Sequence, residues 1–316
     1  MSAKILVTHN GAMHGDDLFA CAVLCLYLEK RGEEYRIIRS RDLETIERGD
    51  FVFDVGGVYD PLKNRFDHHQ KESGGARKNG VPYASFGLVW KHFGLDLCDG
   101  DQEAWQMIDD QIASPIDATD NGFDLFETKI KNVAPYFGER TFLIFSPTWR
   151  EETANIDDIF KQEVKNIMRV LKREIEVVRA NSIGRAIIMK AYEESKDKRI
   201  VELPNNFPRY LYQDTLSRLP EPIYMVCQSK YTDSWKVEAI SIAPGTMQSR
   251  KLFPESWRGL LSENGELAKI SGVPDAGFCH RNGFLADAKT KEGALKLAEL
   301  ALTHNEKKNI WRSLMK

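Results

Sequence analysis

The stretch from Leu18 to Leu28 most restricts how this chain folds, because its apolar residues occupy nearly every side of a helix. Such a helix is stable in water only when protein covers it on all sides. Short β-branched stretches lie around it at residues 4–8, 35–38 and 51–54, with a short predicted helix at 43–48. This alternation of strand and helix predicts an α/β domain built on a doubly wound parallel sheet.

The remainder of the chain predicts further helices and a second, smaller domain. Helices are expected over residues 85–93, 102–116 and 156–181. The last of these carries one apolar stripe and is typical of a connector between domains. Beyond it the patterns predict strands at residues 186–190, 200–203, 223–228 and 236–242, and a helix at 293–302. We therefore expect an N-terminal domain over residues 1–180, connector helix included, and a C-terminal α+β domain over residues 181–316.

Composition excludes several classes of protein. The chain has 316 residues, of which 42% are hydrophobic and 29% charged, and this balance is typical of globular proteins and not of disordered ones. Its net charge of −3 gives no general attraction to nucleic acid. A polyanion would therefore have to bind through a local basic patch or through a metal ion.

Cysteine usage and the N-terminal residues predict a cytoplasmic protein. The five cysteines show no paired spacing, and Cys21 and Cys25 lie inside the apolar run, where buried thiols are favoured. The first residues contain neither an apolar signal core nor an arginine-rich presequence. The longest apolar run is too short to span a bilayer, so no membrane partner is expected.

Histidine and aspartate are concentrated in the first quarter of the chain. Four of the seven histidines lie there, namely His9, His14, His68 and His69. Carboxylates accompany them at Asp16, Asp17, Asp54 and Asp67. Ligands of a parallel sheet bind beyond the carboxyl ends of its strands, where His9 and Asp54 are predicted to lie. Imidazole and carboxylate together suit Mn²⁺, Fe²⁺ or Zn²⁺, whereas an all-oxygen set suits Mg²⁺ or Ca²⁺.

Each of these side chains also has a purely structural interpretation. Asp16 or Asp17 would cap the helix that follows. Asp54 precedes two glycines and would then be an ordinary turn residue, and residues 67–69 would form a surface turn.

A further carboxylate pair lies near the end of the helix predicted at residues 102–116. Asp117 and Asp120 stand three residues apart, immediately before an Asn-Gly turn signal. We favour Asp120 as an additional metal ligand, and helix capping is the alternative for it.

Several motifs, in order along nearly the whole chain, carry a resemblance to a known family. They are T-H-N-G at 8–11 with His14 and Asp16, R-S-R-D at 39–42, D-V-G-G-V-Y-D at 54–60, R-F-D-H-H-Q at 65–70, G-L-V-W-K-H-F-G at 87–94, I-D-A-T-D-N-G at 116–122, F-P-E-S-W-R-G-L at 253–260 and A-K-T-K-E-G-A at 288–294. By these motifs the chain resembles the Myg-type (melanocyte-proliferating-gene) family, a branch of the DHH phosphoesterase superfamily.

The resemblance implies a DHH-like catalytic N-terminal domain, a substrate-binding C-terminal domain and an active centre in the cleft between them. It implies two divalent ions, which we expect to be Mn²⁺, with Mg²⁺, Fe²⁺ and Zn²⁺ as alternatives. His9, His14 and Asp54 would hold one ion, and Asp16, Asp54, His68 and Asp120 would hold the other, with Asp54 bridging. The catalytic set would be Asp54, His68, His69 and Asp67, in which His69 contacts the substrate phosphate and Asp67 orients the histidines. His14 stands where other branches carry aspartate, which makes the first site less anionic.

The resemblance also places a substrate-binding loop at residues 277–283. His280 and Arg281 would there hold a phosphate or the 3′ end of a nucleotide, and a surface loop with incidental charge is the alternative. Arg39 and Arg41 are predicted to extend the phosphate cradle, unless they lie on a solvated face. Trp235 and Trp257 would either stack bases or pack in the core.

Together these features predict a metal-dependent phosphoesterase. The expected activity is that of a 3′–5′ exonuclease on RNA or short oligonucleotides, with a hydroxide activated by two metal ions. The lack of a long basic stripe favours a short substrate. The alternatives are a hydrolase of small phosphoanhydrides or nucleotides, and a regulatory protein that binds metal or nucleotide with weak catalysis. The sequence leaves a homodimer open.

Overall fold

A computed structural model describes residues 2–71, 74–136, 138–151, 154–261 and 265–304. In it the chain divides into two units, Met1–Ala180 and Asn181–Lys316. Each unit contains its own five-stranded sheet. Across the described ranges, no helix is both long enough and apolar enough to cross a membrane.

The sheet of the first unit is parallel over most of its width, as the sequence predicts. Its strands are β1 (Lys4–Thr8), β2 (Tyr35–Arg39), β3 (Phe51–Phe53), β4 (Tyr59–Asp60) and β5 (Arg65–Phe66). They lie in the order β2-β1-β3-β5-β4, and every neighbouring pair is parallel except β5 and β4. Since β1 pairs with β2 on one side and β3 on the other, the direction of winding reverses between β1 and β3. Such a reversal opens a crevice at the carboxyl ends of the two strands.

Among the described residues of this unit, seven helices lie wholly or partly within it. They are α1 (Gly15–Lys30), α2 (Leu43–Glu47), α3 (Ser85–Leu97), α4 (Gln102–Ile108), α5 (Ser114–Asp120), α6 (Arg140–Leu143) and α7 (Ile156–Glu194). A 3₁₀ turn at Pro61–Lys63 joins β4 to β5, and a π-helical turn at Asp109–Ala113 joins α4 to α5. The predicted connector helix, α7, contains the point at which the chain passes from one unit to the other.

The core of the first unit is built around α1. Every residue of α1 from Gly15 to Leu26 is buried, which confirms that protein surrounds this helix. Phe19 on α1 contacts Phe86 on α3, with 5.3 Å between the ring centroids. The predicted apolar stripe of α7, with Phe160 and Leu171, is buried in the same core. All five cysteines are free and buried, as expected for structural thiols.

The second unit is a mixed α+β structure, as predicted. Its strands are β6 (Ile200–Glu202), β7 (Tyr224–Gln228), β8 (Trp235–Ala239), β9 (Ala276–Cys279) and β10 (Leu285–Ala288), and its helices include α8 (Arg209–Ser217), α9 (Glu266–Ser271) and α10 (Lys291–Thr303). A 3₁₀ turn, Glu255–Trp257, lies between β8 and α9. The strand order is β6-β7-β8-β10-β9, with only β6 and β7 parallel. Along β7, Tyr224 and Val226 enter one apolar cluster and Met225 and Cys227 the other, so both faces of the sheet are covered.

Some local predictions are wrong. The strand expected at residues 186–190 is part of α7. Its β-branched run favours a strand locally. Ile188 is however buried in the apolar cluster that also contains Met225 and Cys227 of β7, and this tertiary burial outweighs the local strand propensity. The short strand β5 and the helix α8 were not predicted, because two residues cannot show an alternation and α8 has no strong stop or start signal.

Truncation of a leucine at the centre of α1 tests the importance of this core. Leu24→Ala is expected to lower the free energy of unfolding by about 3–5 kcal/mol, because it leaves a cavity in a fully buried site. Leu62→Ala is the matched control, since the Leu62 side chain is 95% exposed, and it should cost less than about 0.5 kcal/mol. Urea unfolding measures both values, and equal losses in the two variants would contradict the central position of α1.

Candidate metal centre

Three neighbouring parallel strands deliver the predicted ligands to one edge of the sheet. His9 follows β1, Asp54 follows β3, and residues 67–69 follow β5. Because β1 pairs with β3 and β3 with β5, these side chains are neighbours in space despite their separation in sequence. The short strand β5 therefore explains why the histidine pair belongs to the same site as His9.

Asp54 has a backbone conformation that few residues adopt. Its φ is +52°, in the left-handed region, and Gly56 and Gly57 that follow have φ of +97° and +67°. Left-handed backbone costs a side-chain-bearing residue about 1–2 kcal/mol, although aspartate tolerates it better than most. Strain of this kind concentrates at functional sites, and here the turn places the Asp54 carboxylate between the strand ends.

The two oxygens of Asp54 face two different imidazoles. Oδ2 lies 3.1 Å from Nε2 of His9, and Oδ1 lies 3.5 Å from Nε2 of His68. Three groups of side chains bring their ligand atoms within 4.8 Å of one another: His9 with His14 and Asp54, Asp54 with His68 and His69, and Asp16 with His68 and Asp120. One carboxylate thus belongs to two adjacent groups, which is the arrangement of a bridging ligand.

In the group of His9, His14 and Asp54, the two histidines are held by the turn between β1 and α1. Nδ1 of His9 lies 3.1 Å from the carbonyl oxygen of Asn10, so a hydrogen on Nδ1 leaves the Nε2 lone pair directed at Asp54. This is the usual arrangement of a metal-binding imidazole. His14 is the N-cap residue of α1 and is exposed, and its ring centroid lies 5.2 Å from that of His9.

The group of Asp16, His68 and Asp120 joins three elements of the first unit. Nε2 of His68 lies 3.3 Å from Asp120 Oδ2 at the end of α5 and 3.9 Å from Asp16 Oδ2 on α1. The Asp16 carboxylate also accepts the backbone N–H groups of Ser85 and Phe86, at 3.0 and 2.6 Å. Asp16 therefore caps α3, not its own helix, and its position is fixed by the positive end of a neighbouring helix.

Asp67 orients the exposed histidine of the pair. Its Oδ1 accepts from the backbone N–H of His69 and lies 2.8 Å from His69 Nδ1, and its Oδ2 accepts from Gly57 N–H. The carboxylate is buried, whereas the side chain of His69 is 63% exposed. His69 is thus held on one side and open to solvent on the other.

The buried polar atoms without a well-formed hydrogen bond among the described residues include Nε2 of His9, Oδ2 of Asp17, Oδ2 of Asp54 and Nε2 of His68. These nitrogens and oxygens face one another, with His9 Nε2 3.1 Å from Asp54 Oδ2 and 3.3 Å from Asp17 Oδ2. A bound cation would satisfy several of them at once. Neutral imidazole nitrogens and carboxylate oxygens are a suitable donor set for a divalent transition metal. The residues present therefore fit a metal centre.

The imidazoles and the bridging carboxylate stabilise each other's charged forms. Burial lowers the pKa of His9, but the close contact with Asp54 and the charge of Asp17 outweigh it, so the pKa is raised. The pKa of His68 is raised for the same reasons, with Asp54 and Asp120 as the partners. Burial alone would raise the pKa of Asp54, yet the contacts with His68 and His9 hold it well below its usual range.

The remaining carboxylates are in an unfavourable environment when no cation is near. Burial, and then the charges of Asp54 and Asp120, raise the pKa of Asp16 well above its usual range. Burial raises the pKa of Asp17 to about 7, and burial likewise raises that of Asp120 despite the opposing charge of His68. The centre therefore holds more buried negative charge than two imidazoles can neutralise, and a divalent cation would remove this cost.

Asp17 and Asp117 both make structural contacts at helix ends. Asp17 Oδ1 accepts from the backbone N–H of His14 in a capping box at the start of α1. Asp117 accepts from Arg77 Nη1 at 2.6 Å and from Gly87 N–H at 3.0 Å, and it is fully buried. Of the pair near the end of α5, only Asp120 reaches the metal-ligand groups.

The role of Arg39 in a phosphate cradle stays a prediction. Its buried guanidinium is bonded to Asp157 at 3.0 Å and to the carbonyl oxygens of Gly11 and Ala12. A side chain engaged in this way supports the loop that carries His9 and His14. Arg41 is exposed and fits the solvated alternative as well as the cradle.

The other predicted substrate residues lie in the second unit. Arg281 is exposed, and His280 is half-buried, with its Nδ1 accepting from Asn282 N–H at 3.1 Å. Trp257 is buried and Trp235 packs against the same apolar cluster, so the core interpretation holds for both.

Two residues near the centre were missed by sequence reasoning. Arg77 is buried and binds both Asp109 and Asp117, and in this way it joins the π-helical turn to α5. It lies in a stretch rich in glycine and lysine that predicts only a loop. The Glu139 carboxylate lies against Gly15, where any side chain would overlap it. No local pattern distinguishes Glu139 from other surface acids.

Fold and site together define an α/β protein with a candidate metal centre at the carboxyl edge of its parallel sheet. A family model, MYG1_exonuc, described as Uncharacterised protein family (UPF0160), matches residues 5–302. The chain belongs to this family. It is accordingly an enzyme of the hydrolase class, in a family whose named members include exonucleases.

The similar proteins span nearly the whole chain. MYG1 exonuclease of Bos taurus is 30% identical over 338 residues, which cover 96% of this chain and 85% of the relative. The Homo sapiens protein of the same name is 30% identical, with coverage of 96% and 86%. MYG1 protein C694.04c of Schizosaccharomyces pombe is 30% identical, with coverage of 94% and 97%.

Among solved structures, exonuclease RecJ bound to manganese aligns with 96% of this chain and 91% of its own, at 13% identity and a TM-score of 0.27. An exopolyphosphatase-related protein from Bacteroides fragilis covers 95% and 91%, at 12% identity and a TM-score of 0.24. TM-scores in this range do not establish a shared fold.

Metal binding is tested by stoichiometry in single variants. Asp54→Ala is expected to abolish Mn²⁺ binding, because its carboxylate belongs to two of the three groups of ligand atoms and faces His9 and His68. His14→Ala and Asp120→Ala should each lose one ion and keep the other. Wild-type protein should gain about 2.7 kcal/mol of unfolding free energy at 100 times the dissociation constant for one ion, and Asp54→Ala should gain none.

Asp158→Ala is the matched control for these variants, since Asp158 is an exposed carboxylate on α7. Elemental analysis after gel filtration gives the stoichiometry, and near-ultraviolet circular dichroism reports whether each variant is folded. Folded Asp54→Ala protein that retains ions with wild-type affinity would refute the assignment.

The pH dependence of the metal-free protein tests the burial of negative charge. Because the pKa of Asp17 is raised to about 7 on folding, its contribution to stability is present at low pH and is lost as pH rises through 7. As the pH rises from 5 to 8 in EDTA, the free energy of unfolding of Asp17→Asn should therefore increase by about 2–3 kcal/mol relative to that of wild type. Urea unfolding at the two pH values measures the difference.

Asp42→Asn provides the control for this experiment. Hydrogen bonds from the backbone and side chain of Thr45 lower the pKa of Asp42 from its usual range, so the comparison should be flat from pH 5 to pH 8. A flat result for Asp17→Asn as well would mean that Asp17 is not buried as the structure describes.

Proposed function

We propose that the protein is a metal-dependent 3′–5′ exonuclease acting on RNA or short oligonucleotides, with two Mn²⁺ ions as its cofactor. The observation that carries the proposal is the Asp54 carboxylate, whose two oxygens face His9 and His68 on opposite sides. His9, His14 and Asp54 would hold one ion, and Asp16, Asp54, His68 and Asp120 the other. When bound, such a pair supplies an activated water nucleophile and neutralises charge on the phosphoryl oxygens.

The chain's own residues supply position and charge around this chemistry. Asp67 holds His69 Nδ1 at 2.8 Å, which leaves the exposed side of the imidazole to contact a phosphate. With Nδ1–H given to Asp67, His69 donates from Nε2 to a phosphoryl oxygen only in its imidazolium form. Asp54, with its lowered pKa, remains an acceptor throughout the physiological range.

The division of labour between the two units is part of the same proposal. Catalysis is assigned to residues 1–180 and substrate binding to residues 181–316, where Arg281 is an exposed cation beside the half-buried His280. The names of the relatives support a nucleic-acid substrate, and those of Bos taurus and Homo sapiens are exonucleases. Five free, buried thiols suit the reducing environment of the cytoplasm.

Degradation of end-labelled RNA tests the activity and its polarity. With Mn²⁺, wild-type protein is expected to shorten a 5′-labelled single-stranded RNA of 12 nucleotides from its 3′ end and to produce a ladder of labelled products. His68→Ala should lower the rate by more than about 100-fold, because loss of a ligand exceeds the cost of losing a supporting partner. His304→Ala is the matched control, since His304 is exposed and lies outside the ligand groups.

Three further outcomes decide against parts of the proposal. Immediate release of the labelled 5′ nucleotide would reverse the polarity. Faster turnover of pyrophosphate or a cyclic dinucleotide than of RNA would favour the small-substrate alternative. Absence of any phosphoester cleavage by fully metal-loaded protein would overturn the phosphodiesterase assignment.

A further inference from the structure

In the described part of the first unit, the exposed side chains of Phe, Tyr and Trp lie in one segment of the chain, between residues 121 and 151. Seven large aromatic side chains are classed as exposed in the described part of the molecule, and five of them lie in this segment: Phe123, Phe126, Tyr136, Phe145 and Trp149. The other two, Tyr210 and Tyr231, belong to the second unit. The two tryptophans that the sequence suggested for base stacking are instead packed in a core.

The segment is attached to the candidate metal centre at two points. It leaves the centre at Asp120, and it returns at Glu139, whose carboxylate lies against Gly15 between His14 and Asp16. The charge of Asp120, after burial, also raises the pKa of Glu139, which is consistent with their proximity. Just beyond Glu139, Phe142 on α6 packs edge-on against Phe19 on α1, with 5.8 Å between the ring centroids.

These attachments limit how far the rings lie from the reacting phosphate. Phe123 is three residues from Asp120, and Tyr136 is three residues from Glu139. Three residues of fully extended chain reach about 11 Å, which corresponds to about three nucleotides at 3.4 Å each in a B-form strand. Phe123 and Tyr136 are therefore within reach of the bases nearest the scissile bond, and Trp149 lies further along the chain.

The chemistry of the segment favours stacking over charge attraction. Its bases and acids balance, with Lys129, Lys131, Arg140 and Arg150 against Asp124, Glu127, Glu139 and Glu151. Trp149 is 83% exposed, and the Arg150 guanidinium lies 4.8 Å from its ring centroid. An exposed ring beside a guanidinium offers a face for a base and a donor for a phosphate at the same point.

From these observations we infer that residues 121–136 and 138–151 form a stacking platform for the bases of a single-stranded nucleic acid, with Phe123, Tyr136 and Trp149 as the contact residues. The inference rests on the proposed function, because it assigns the platform to the substrate of that site. The platform explains how a chain of net charge −3 holds a polyanion without a basic stripe. It also makes the specificity tolerant of sequence, since every base presents a π face.

Binding without metal tests the platform separately from catalysis. In EDTA, a fluorescein-labelled single-stranded RNA of 12 nucleotides is titrated with wild-type protein and with Phe123→Leu, Tyr136→Leu and Trp149→Leu. Leucine keeps an apolar side chain and removes the ring, so folding should be preserved. Each change is expected to weaken binding about tenfold, within the range that loss of one stacked base costs.

Matched controls separate stacking from other effects. Leu62→Ala removes an exposed apolar side chain of the first unit outside this segment and should change binding less than about twofold. An abasic oligomer of the same length should bind wild type and the three ring variants equally. The loss in each variant should be the same at 50 and 200 mM salt, because stacking releases no counterions.

With Mn²⁺, the ring variants should raise KM for RNA and leave KM for the abasic oligomer unchanged. Wild-type RNA affinity in all three variants, or weakened binding of the abasic oligomer, would overturn the platform. A change from dimer to monomer in the variants would also overturn it and identify the surface as an interface between copies. If ring-dependent binding occurs without phosphodiester cleavage, the proposed function fails and the platform stands. If RNA is cleaved but its binding does not depend on the rings, the platform fails and the proposed function stands.

Discussion

The carboxylate of Asp54 is the feature on which the rest of the site depends. It stands at the end of the middle strand of three, in left-handed backbone, and directs one oxygen to His9 and the other to His68. Displacement of this residue would separate the ligands on β1 from those after β5. The turn glycines make the conformation accessible, and the contacts with the two imidazoles keep the carboxylate ionised in a buried position.

The same centre is also a junction of the core helices. Asp16 binds the first N–H groups of α3, Asp120 ends α5, and Asp17 closes the first turn of α1. Arg77 forms an ion pair with Asp117 and so holds α5, the helix that ends at Asp120. Groups that would hold metal therefore also fix helix ends, so metal binding would be coupled to folding stability. The excess of buried carboxylate explains the sign of that coupling, since the cation removes repulsion that folding creates.

Under the two proposals, substrate recognition would be divided between charge and shape. A loaded metal centre would concentrate positive charge at one point of a chain whose net charge is only −3. A segment with balanced charge and five exposed rings would hold bases chiefly by stacking. Under this division, the salt dependence of binding would arise from the centre, and affinity for longer strands from stacking.

The sequence by itself determined the alternation of strands and helices, the burial of α1, and the identity of the metal-ligand candidates, because periodicity and donor chemistry are local properties. It could not determine that β5 lies beside β3, since a two-residue strand has no pattern of its own. It could not show that Arg39 is bonded to Asp157 and the Gly11 carbonyl, or that Asp117 belongs to Arg77. Only the tertiary structure decided these roles, because a charged side chain takes whichever partner the packing brings near, and these partners were 28 to 118 residues away in sequence.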